Sequence, residues 1–412
     1  MLADPIMRFE PLSSVYAPNI PFKSYRAITP NNTINIHVST QADPGEQIHG
    51  TWADSDIQAS VELVSGLGLQ AGYGMSYTKK RIWRFDGYQG IMEYEKFKHG
   101  PFAAIVYDDG TSLLQLGYTY STAFDGQTHV PSIRASTLVL GSDTRVEIGY
   151  RRMMRSLRLD TSDKPPVLFS VDEQITSDHL SASIEQGFIP GINIRLDLEV
   201  VLDGGYLQDP YSMVTLWSHW PQVENMDKVP QSKPESLPDS RARFGAGISV
   251  KFAIPGLAAA LETGISHGTG TWRVEHTSAH AGWEQRLGDR FSLDFSVGAY
   301  HQTRALFYRD DYQDGPVGAL WTCNRDLSSY IAWWGRVGLN MYIYPSRGRL
   351  LGMFKELTLS LSSRLMKLNY NFEGLSSQNG FTRYSILADS ASREGFAGGW
   401  QMGGWFSMSA GF

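Results

Sequence analysis

The segment GINIRLDLEVVLDGG, from Gly191 to Gly205, carries Arg195, Asp197, Glu199 and Asp203 in one phase of two, interrupted only by Val201. In an extended chain, residues two apart share a face and stand ~7 Å apart. The odd face is therefore charged, and Ile192, Ile194, Leu196, Leu198, Val200 and Leu202 make the even face wholly apolar. Arg145, Glu147 and Arg151 repeat the arrangement on one neighbouring segment, Arg241, Arg243 and Lys251 on another, and Arg364 on a later one. Two chemistries fit such a face. It can be a charged constriction that selects solutes by sign, or a salt-bridged network that braces an interior.

Other residue types in the chain could bind metal or act in catalysis. His267, His276, His280 and His301 fall on adjacent predicted strands. His276 and His280 would stand ~13 Å apart on one face, too far to share an ion whose bonds to nitrogen are ~2 Å. Histidines from neighbouring strands could still meet, but polar lumen or girdle positions are the simpler reading. The stretch YRDDYQDGP sets Asp310, Asp311 and Asp314 near Gly315 without the twelve-residue calcium loop and its closing Glu. A lipase-like site would have to use Ser266-His267, or Ser278 with His276 and His280; no GxSxG elbow and no GxxxxGKS/T loop occurs. The chain is read as a non-enzyme with no cofactor and no metal.

The elements that would position these groups are strands. Phe244 to Phe252, Phe291 to Ala299, Leu114 to Tyr120 and Leu357 to Leu365 all alternate as the opening segment does. Ile189-Pro190-Gly191 and Ile254-Pro255-Gly256 are near-repeats that read as tight turns, as do Gly141 to Thr144 and Leu287 to Arg290. Longer polar connections fall at about 158–178, 207–239, 305–327 and 373–396. Walking back from Phe412, short and long connections alternate through most of the chain, as periplasmic turns and external loops do in a bacterial barrel. The expectation is an all-β, closed antiparallel transmembrane β-barrel of about 16 strands, within a range of 12–18. Residues 1–31 read as a lead segment and 32–412 as a single barrel domain.

Composition agrees. The 412 residues include 41 Gly, 20 Tyr and 11 Trp, suited to hairpins and interfacial aromatic girdles. Mean hydropathy is −0.26, and no run of ~18 apolar residues could make a membrane helix. Half-apolar strands leave no such run. Cys323 is the only cysteine, which excludes an intrachain disulfide and a four-cysteine metal site. A net charge of −6 gives no reason to expect nucleic-acid binding. The opening MLADPIMRFEPLSSVYAPN has no basic stretch followed by an apolar one, so a signal peptide is expected to have been removed or to lie outside this sequence.

The chain closes on WQMGGWFSMSAGF. Trp400, Met402, Phe406, Met408, Ala410 and Phe412 share one face, and Gln401, Ser407 and Ser409 the other. A final amphipathic strand ending in Phe412 is the kind of signal presented to barrel insertion machinery. The other expected contacts are outer-membrane lipids and a periplasmic or surface partner. Trp283, Trp333, Trp334, Tyr342, Tyr344, Trp400 and Trp405 lie near predicted strand ends and read as an interfacial belt, although Trp405 falls on the polar face. A soluble sandwich would explain the strands, but not the loop-length alternation or the terminal Phe412. A propeller or β-helix should show a fixed repeat.

The middle of the chain, roughly 140–310, resembles a bacterial family of predicted outer-membrane proteins filed only as a domain of unknown function. Gly205-Tyr206-Leu207-Gln208-Asp209-Pro210-Tyr211, then Pro238-Asp239-Ser240-Arg241, then His276-Thr277 carry the resemblance. The chain departs from it at ISHGTGTWRVEHT, where a Tyr-Tyr pair and an Asp-Asp-Trp segment would be expected and only the Trp remains. The resemblance implies a fold and an outer-membrane location, and no reaction. The expected function is a channel or transporter for small solutes. A non-conducting platform for a lipoprotein, redox or surface partner is the alternative, and a membrane-embedded hydrolase is a third reading.

Overall fold

The computed structural model describes residues 33–43, 50–85, 89–139, 144–160, 170–189, 191–208, 213–218, 229–309, 318–322, 327–343, 356–370 and 398–411. The alternating segments form β1 (Thr33–Asp43), β2 (Gly50–Val64), β3 (Leu67–Phe85), β4 (Gln89–Asp108), β5 (Ser112–Ala123) and β6 (Gly126–Val139). They continue as β7 (Thr144–Leu159), β8 (Val171–Ile189), β9 (Ile192–Gly205), β10 (Met213–Ser218), β11 (Val229–Pro234) and β12 (Ser240–Ile254). The last six are β13 (Ala259–Gly270), β14 (His276–Leu287), β15 (Phe291–Gln302), β16 (Tyr330–Ile343), β17 (Glu356–Tyr370) and β18 (Gly398–Gly411).

Sixteen of these close into one antiparallel barrel, the number the sequence led us to expect. The exceptions, β10 and β11, pair only with each other, as a ribbon between β9 and β12. Closure joins β1 to β18, with Thr33 opposite Gly411 and Ala42 opposite Met402. The start of β1 and the end of β18 therefore share one rim, here the turn end, and the opposite rim is the loop end. The expected lead segment 1–31 lies outside the described residues.

Exposure separates the two faces of the wall. Leu198 is 61% exposed, Val337 54% and Leu361 61%, whereas Asp197 on the other face of β9 is 5% exposed. Apolar groups face out around a closed single wall and polar groups face in. A sandwich would bury its apolar faces between two sheets; here, among the described residues, no second sheet covers them. That inversion suits hydrocarbon outside and water or polar packing inside. The protein is a transmembrane β-barrel.

The strands outrun the membrane at the loop end. β3 and β4 have 19 and 20 residues, against ~9–11 for one crossing. On their outer surface the exposed ion pair Lys79–Glu95 (3.1 Å) stands beyond the apolar belt. Below it, paired polar groups edge the belt: Tyr73 Oη with His99 Nδ1 (2.5 Å), Tyr118 Oη with His129 Nδ1 (2.6 Å) and Tyr150 Oη donating to Asp178 (2.6 Å). Rings with one polar handle belong at such a boundary.

Past that boundary β7 and β8 reverse their polarity. Leu157, Leu159, Val171 and Ile175 face inward and are buried, while Arg152 and Arg158 point outward. This corrects the expected loop at 158–178: β7 runs to Leu159 and β8 begins at Val171. Outside lipid, water takes the charged side and the apolar side must turn in.

Connection lengths alternate less cleanly than expected. At the loop end, Phe124-Asp125 and residues 271–275 are short links; at the turn end, residues 344–355 form a long one. The two Ile-Pro-Gly repeats also make different turns. Gly191 itself takes a left-handed conformation (φ 89°), whereas Pro255–Leu257 form a 3-10 turn and Ala258 takes the left-handed position (φ 48°).

Candidate lumenal site

Each charged residue expected to line the lumen lies on the inner face. Glu147 receives a fork of bonds from Arg134 of β6 (Nε 2.9 Å, Nη2 2.8 Å). Asp197 accepts from Arg195 Nε (2.8 Å), and Glu199 pairs with His179 of β8. Asp203 accepts from Arg243 Nη2 (3.1 Å) and from Ser177 Oγ (2.7 Å). Arg145 and Arg151 share the inward phase with Glu147, and Arg151 is exposed there. Lys251 stands opposite Glu262 of β13, and the Arg364 guanidinium lies 5.2 Å from the Trp334 ring centroid.

Arg134 and His179 escaped the sequence reading because their partners sit on neighbouring strands and only the register brings them together. The same holds for Asp125, in the link between β5 and β6. Its Oδ2 accepts from Lys96 of β4 (2.8 Å) and Arg155 of β7 (2.6 Å), and its side chain is 1% exposed. Burial alone would raise its pKa, but the two cations outweigh burial and hold it below the ordinary carboxylate range.

The aromatic residues correct one expectation. Trp333 faces out (57% exposed), as a belt residue does, but Trp334 faces in and packs with Tyr300, Tyr330, Ala332 and Met366. Tyr342 also faces in, 3.4 Å from Ser292 Oγ, and Trp405 stands opposite the inward Ser362. Adjacent residues on a strand take opposite faces, so one of the Trp333-Trp334 pair had to be lumenal. The Trp334 indole occupies the space over Gly298, and His280 that over Gly264, where a Cβ would overlap each ring. Glycines on this wall let bulky side chains lie down inside the barrel.

The four histidines do not converge. His276 and His280 face in, whereas His267 and His301 face out in the opposite phase. His280 approaches Glu262 (3.7 Å), and His267 bonds Thr277 Oγ1 (3.0 Å) on the outer surface. Ser266 and Ser278 bond each other (2.7 Å) and have no histidine as partner. Asp310, Asp311, Asp314 and Gly315 lie outside the described residues, as do Asp209, Pro210, Tyr211, Tyr344 and Phe412.

The described motif residues gather at the loop end. Leu207 (1% exposed) packs with Ile175, Leu237, Trp272, Val274, Ala305, Tyr308 and Leu327 in an apolar cluster, flanked by Met153, Tyr206 and Phe307. Met153 and Ile175 belong to the inward faces of β7 and β8, so loops fold onto the inside of the rim as a cap. Backbone bonds stitch the cap together: Gly205 N to Asp239 O (2.8 Å), Tyr206 N to Gln174 O (3.0 Å) and Leu306 N to Trp272 O (3.0 Å). Ser236 and Trp321 bond each other's backbone at 2.9 Å in both directions. Trp272 Nε1 donates to Ser240 O (3.0 Å), and the Arg241 guanidinium sits 4.6 Å over the Trp272 ring. Pro238 lies beside Leu237 at the mouth of β12.

Among solved structures, the chain is similar to one titled a bacterial polysaccharide outer membrane secretin, at 9% identity over 93% of this chain and 99% of that one, with a TM-score of 0.49. It is also similar to the outer membrane channel DcaP of Acinetobacter baumannii, at 10% identity, 92% and 96% coverage and a TM-score of 0.39. A third is a loop-deletion mutant of OmpT, an outer membrane protein of Vibrio cholerae, at 6% identity, 91% and 97% coverage and a TM-score of 0.40. No curated protein matches the chain. A family model matches residues 111–409, well beyond the stretch that carries the motifs, and the chain belongs to that family, described as Protein of unknown function (DUF3570).

Proposed function

We propose that the protein is a channel of the bacterial outer membrane that passes small solutes along its charged inner face, with the capped loop end outside. The observation that carries this reading is the closed sixteen-strand wall whose inward positions bear Arg134, Arg145, Glu147, Arg151, Asp197 and Lys251 at successive heights. Barrels of this strand number enclose room for an aqueous path. Ion pairs such as Arg134–Glu147 brace the wall, and the exposed Arg151 offers a charge to a passing ion.

Planar-bilayer recording of folded protein, identified by a gel mobility that changes on boiling, tests the reading. Steady ohmic steps are expected, and Arg151→Glu should shift the reversal potential in a salt gradient towards cation preference. Silence from folded protein would sink the channel. The apolar cap over the rim would then favour a non-conducting platform for a lipoprotein, redox or surface partner.

A further inference from the structure

We propose that the inner wall of β12–β14, just beneath the cap, binds a small oxyanion, a carboxylate or phosphate solute, through Arg241, Arg243 and His276. This deepens the channel reading by naming a class of solute, and it rests on that reading for its physiological meaning.

Three nitrogens carry the inference. Arg241 Nε, Arg243 Nε and His276 Nε2 are all buried and have no hydrogen-bond partner. Leaving such a donor unmet costs ~1–3 kcal/mol, more when it is charged. With His276 in the tautomer that carries its proton on Nε2, three donors in one patch stand unmet, and the nearby Glu199 Oε2, itself without a partner, bonds none of them. Arg241 and Arg243 share the inward face of β12, ~7 Å apart along the strand. Towards β14, Gly245 pairs with Gly268, and Gly268 with His276, so no side chain stands on the wall between. Gly270 also leaves the surface bare beside Arg243, whose Cγ lies 3.4 Å from where a Cβ would be.

The surrounding groups hold these donors in place without satisfying them. Arg241 lies over Trp272 and has no carboxylate within salt-bridge reach among the described residues. Arg243 uses Nη2 on Asp203, and its side chain remains 32% exposed. The His276 ring stacks on Tyr300 (centroids 5.9 Å apart, 23° between planes), while the Tyr300 hydroxyl donates to Gln302 Oε1 (2.8 Å). Two carboxylates stand near: Asp203, which accepts from Arg243 and Ser177, and Glu199, which bonds His179 and keeps Oε2 without a partner. Two guanidinium edges and an imidazole on one stretch of the inner face suit an anion with several oxygen acceptors better than chloride.

The test titrates the folded full-length barrel with inorganic phosphate at constant ionic strength against chloride. The readout is the temperature at which boil-sensitive mobility is lost. Phosphate should raise that temperature in the parent, and Arg241→Gln should weaken the apparent affinity about tenfold or more, as loss of a charge-assisted bond implies. The double variant Arg243→Gln with Asp203→Asn removes the second guanidinium without orphaning a buried carboxylate. It should weaken phosphate similarly, and it serves if Arg241→Gln fails to fold. An equal rise in the parent and in both folded variants would be general salt stabilisation, and the proposal falls. No preference for phosphate over chloride in the parent overturns it as well. Phosphate binding by a barrel that stays silent in bilayers keeps this site and sinks the channel. Conductance without phosphate binding does the reverse.

Discussion

Single side chains in this barrel are set by local hydrogen bonding wherever the wall stops. At the turn end between β4 and β5, the Asp109 carboxylate accepts from the Thr111 hydroxyl (2.7 Å), Thr111 N (2.9 Å) and Ser112 N (2.7 Å). These bonds favour the charged form, with the Thr111 hydroxyl contributing most, and lower the pKa from 3.8 to about 2. Because the folded value is depressed, the carboxylate's support of the turn is fully present above 3.8 and is lost as pH falls through about 2. A carboxyl-carbon NMR titration of Asp109 should find its midpoint near 2. A midpoint at the ordinary ~3.9 would mean that the turn bonds do not persist in solution. The turn is built on Asp108-Asp109-Gly110-Thr111, residue types that favour turns, although our sequence reading did not single it out. The Lys96–Asp125–Arg155 cluster has no equivalent signal, since its members come from two strands and a link.

At the scale of elements, alternation was enough to predict strand after strand, because a wall between lipid and a polar interior demands period two at every height. It also placed the inner charges of β7, β9 and β12 on one surface. Two things were hidden, and both lie where the environment changes. The inverted ends of β7 and β8 read as loop, because Leu157, Leu159, Val171 and Ile175 are out of phase with the membrane belt. The cap was not legible either: its contacts join four separate connections, those after β9, β11, β13 and β15, and no local pattern records which loops meet. One residue of that region does explain itself. Gly205 ends β9 in the left-handed region (φ 94°), and a Cβ there would overlap Gln174 O. Gly205→Ala should therefore cost more than the ~1–3 kcal/mol of backbone strain alone, and it should loosen the bond from Tyr206 N to Gln174 O. Hydrogen exchange at the Tyr206 amide should quicken, while amides in the middle of β9 keep their protection. Uniform loss along β9 would show that the glycine supports the strand rather than its junction with the cap.

At the scale of the molecule, barrel and cap are two structures of opposite polarity sharing a rim. The barrel wall is held by backbone bonds around a closed ring and needs no apolar interior. The cap is a small apolar core and depends on side-chain packing. Leu207, 1% exposed at the centre of that core, is where the two should come apart. Leu207→Ala removes buried methyl groups and should cost ~2–5 kcal/mol, a loss that falls on the cap and not on the ladder bonds of the sixteen strands. Protease added to intact cells should then cut within the loop that carries β10 and β11, while the boil-sensitive gel mobility survives to the same temperature as in the parent. In bilayers the same variant should pass more current than the parent, because the cap folds onto the inner side of the rim, against Met153 and Ile175. If cap and barrel melt together instead, the apolar ends of β7 and β8 are part of what closes the wall, and the loops cannot open as a separate unit.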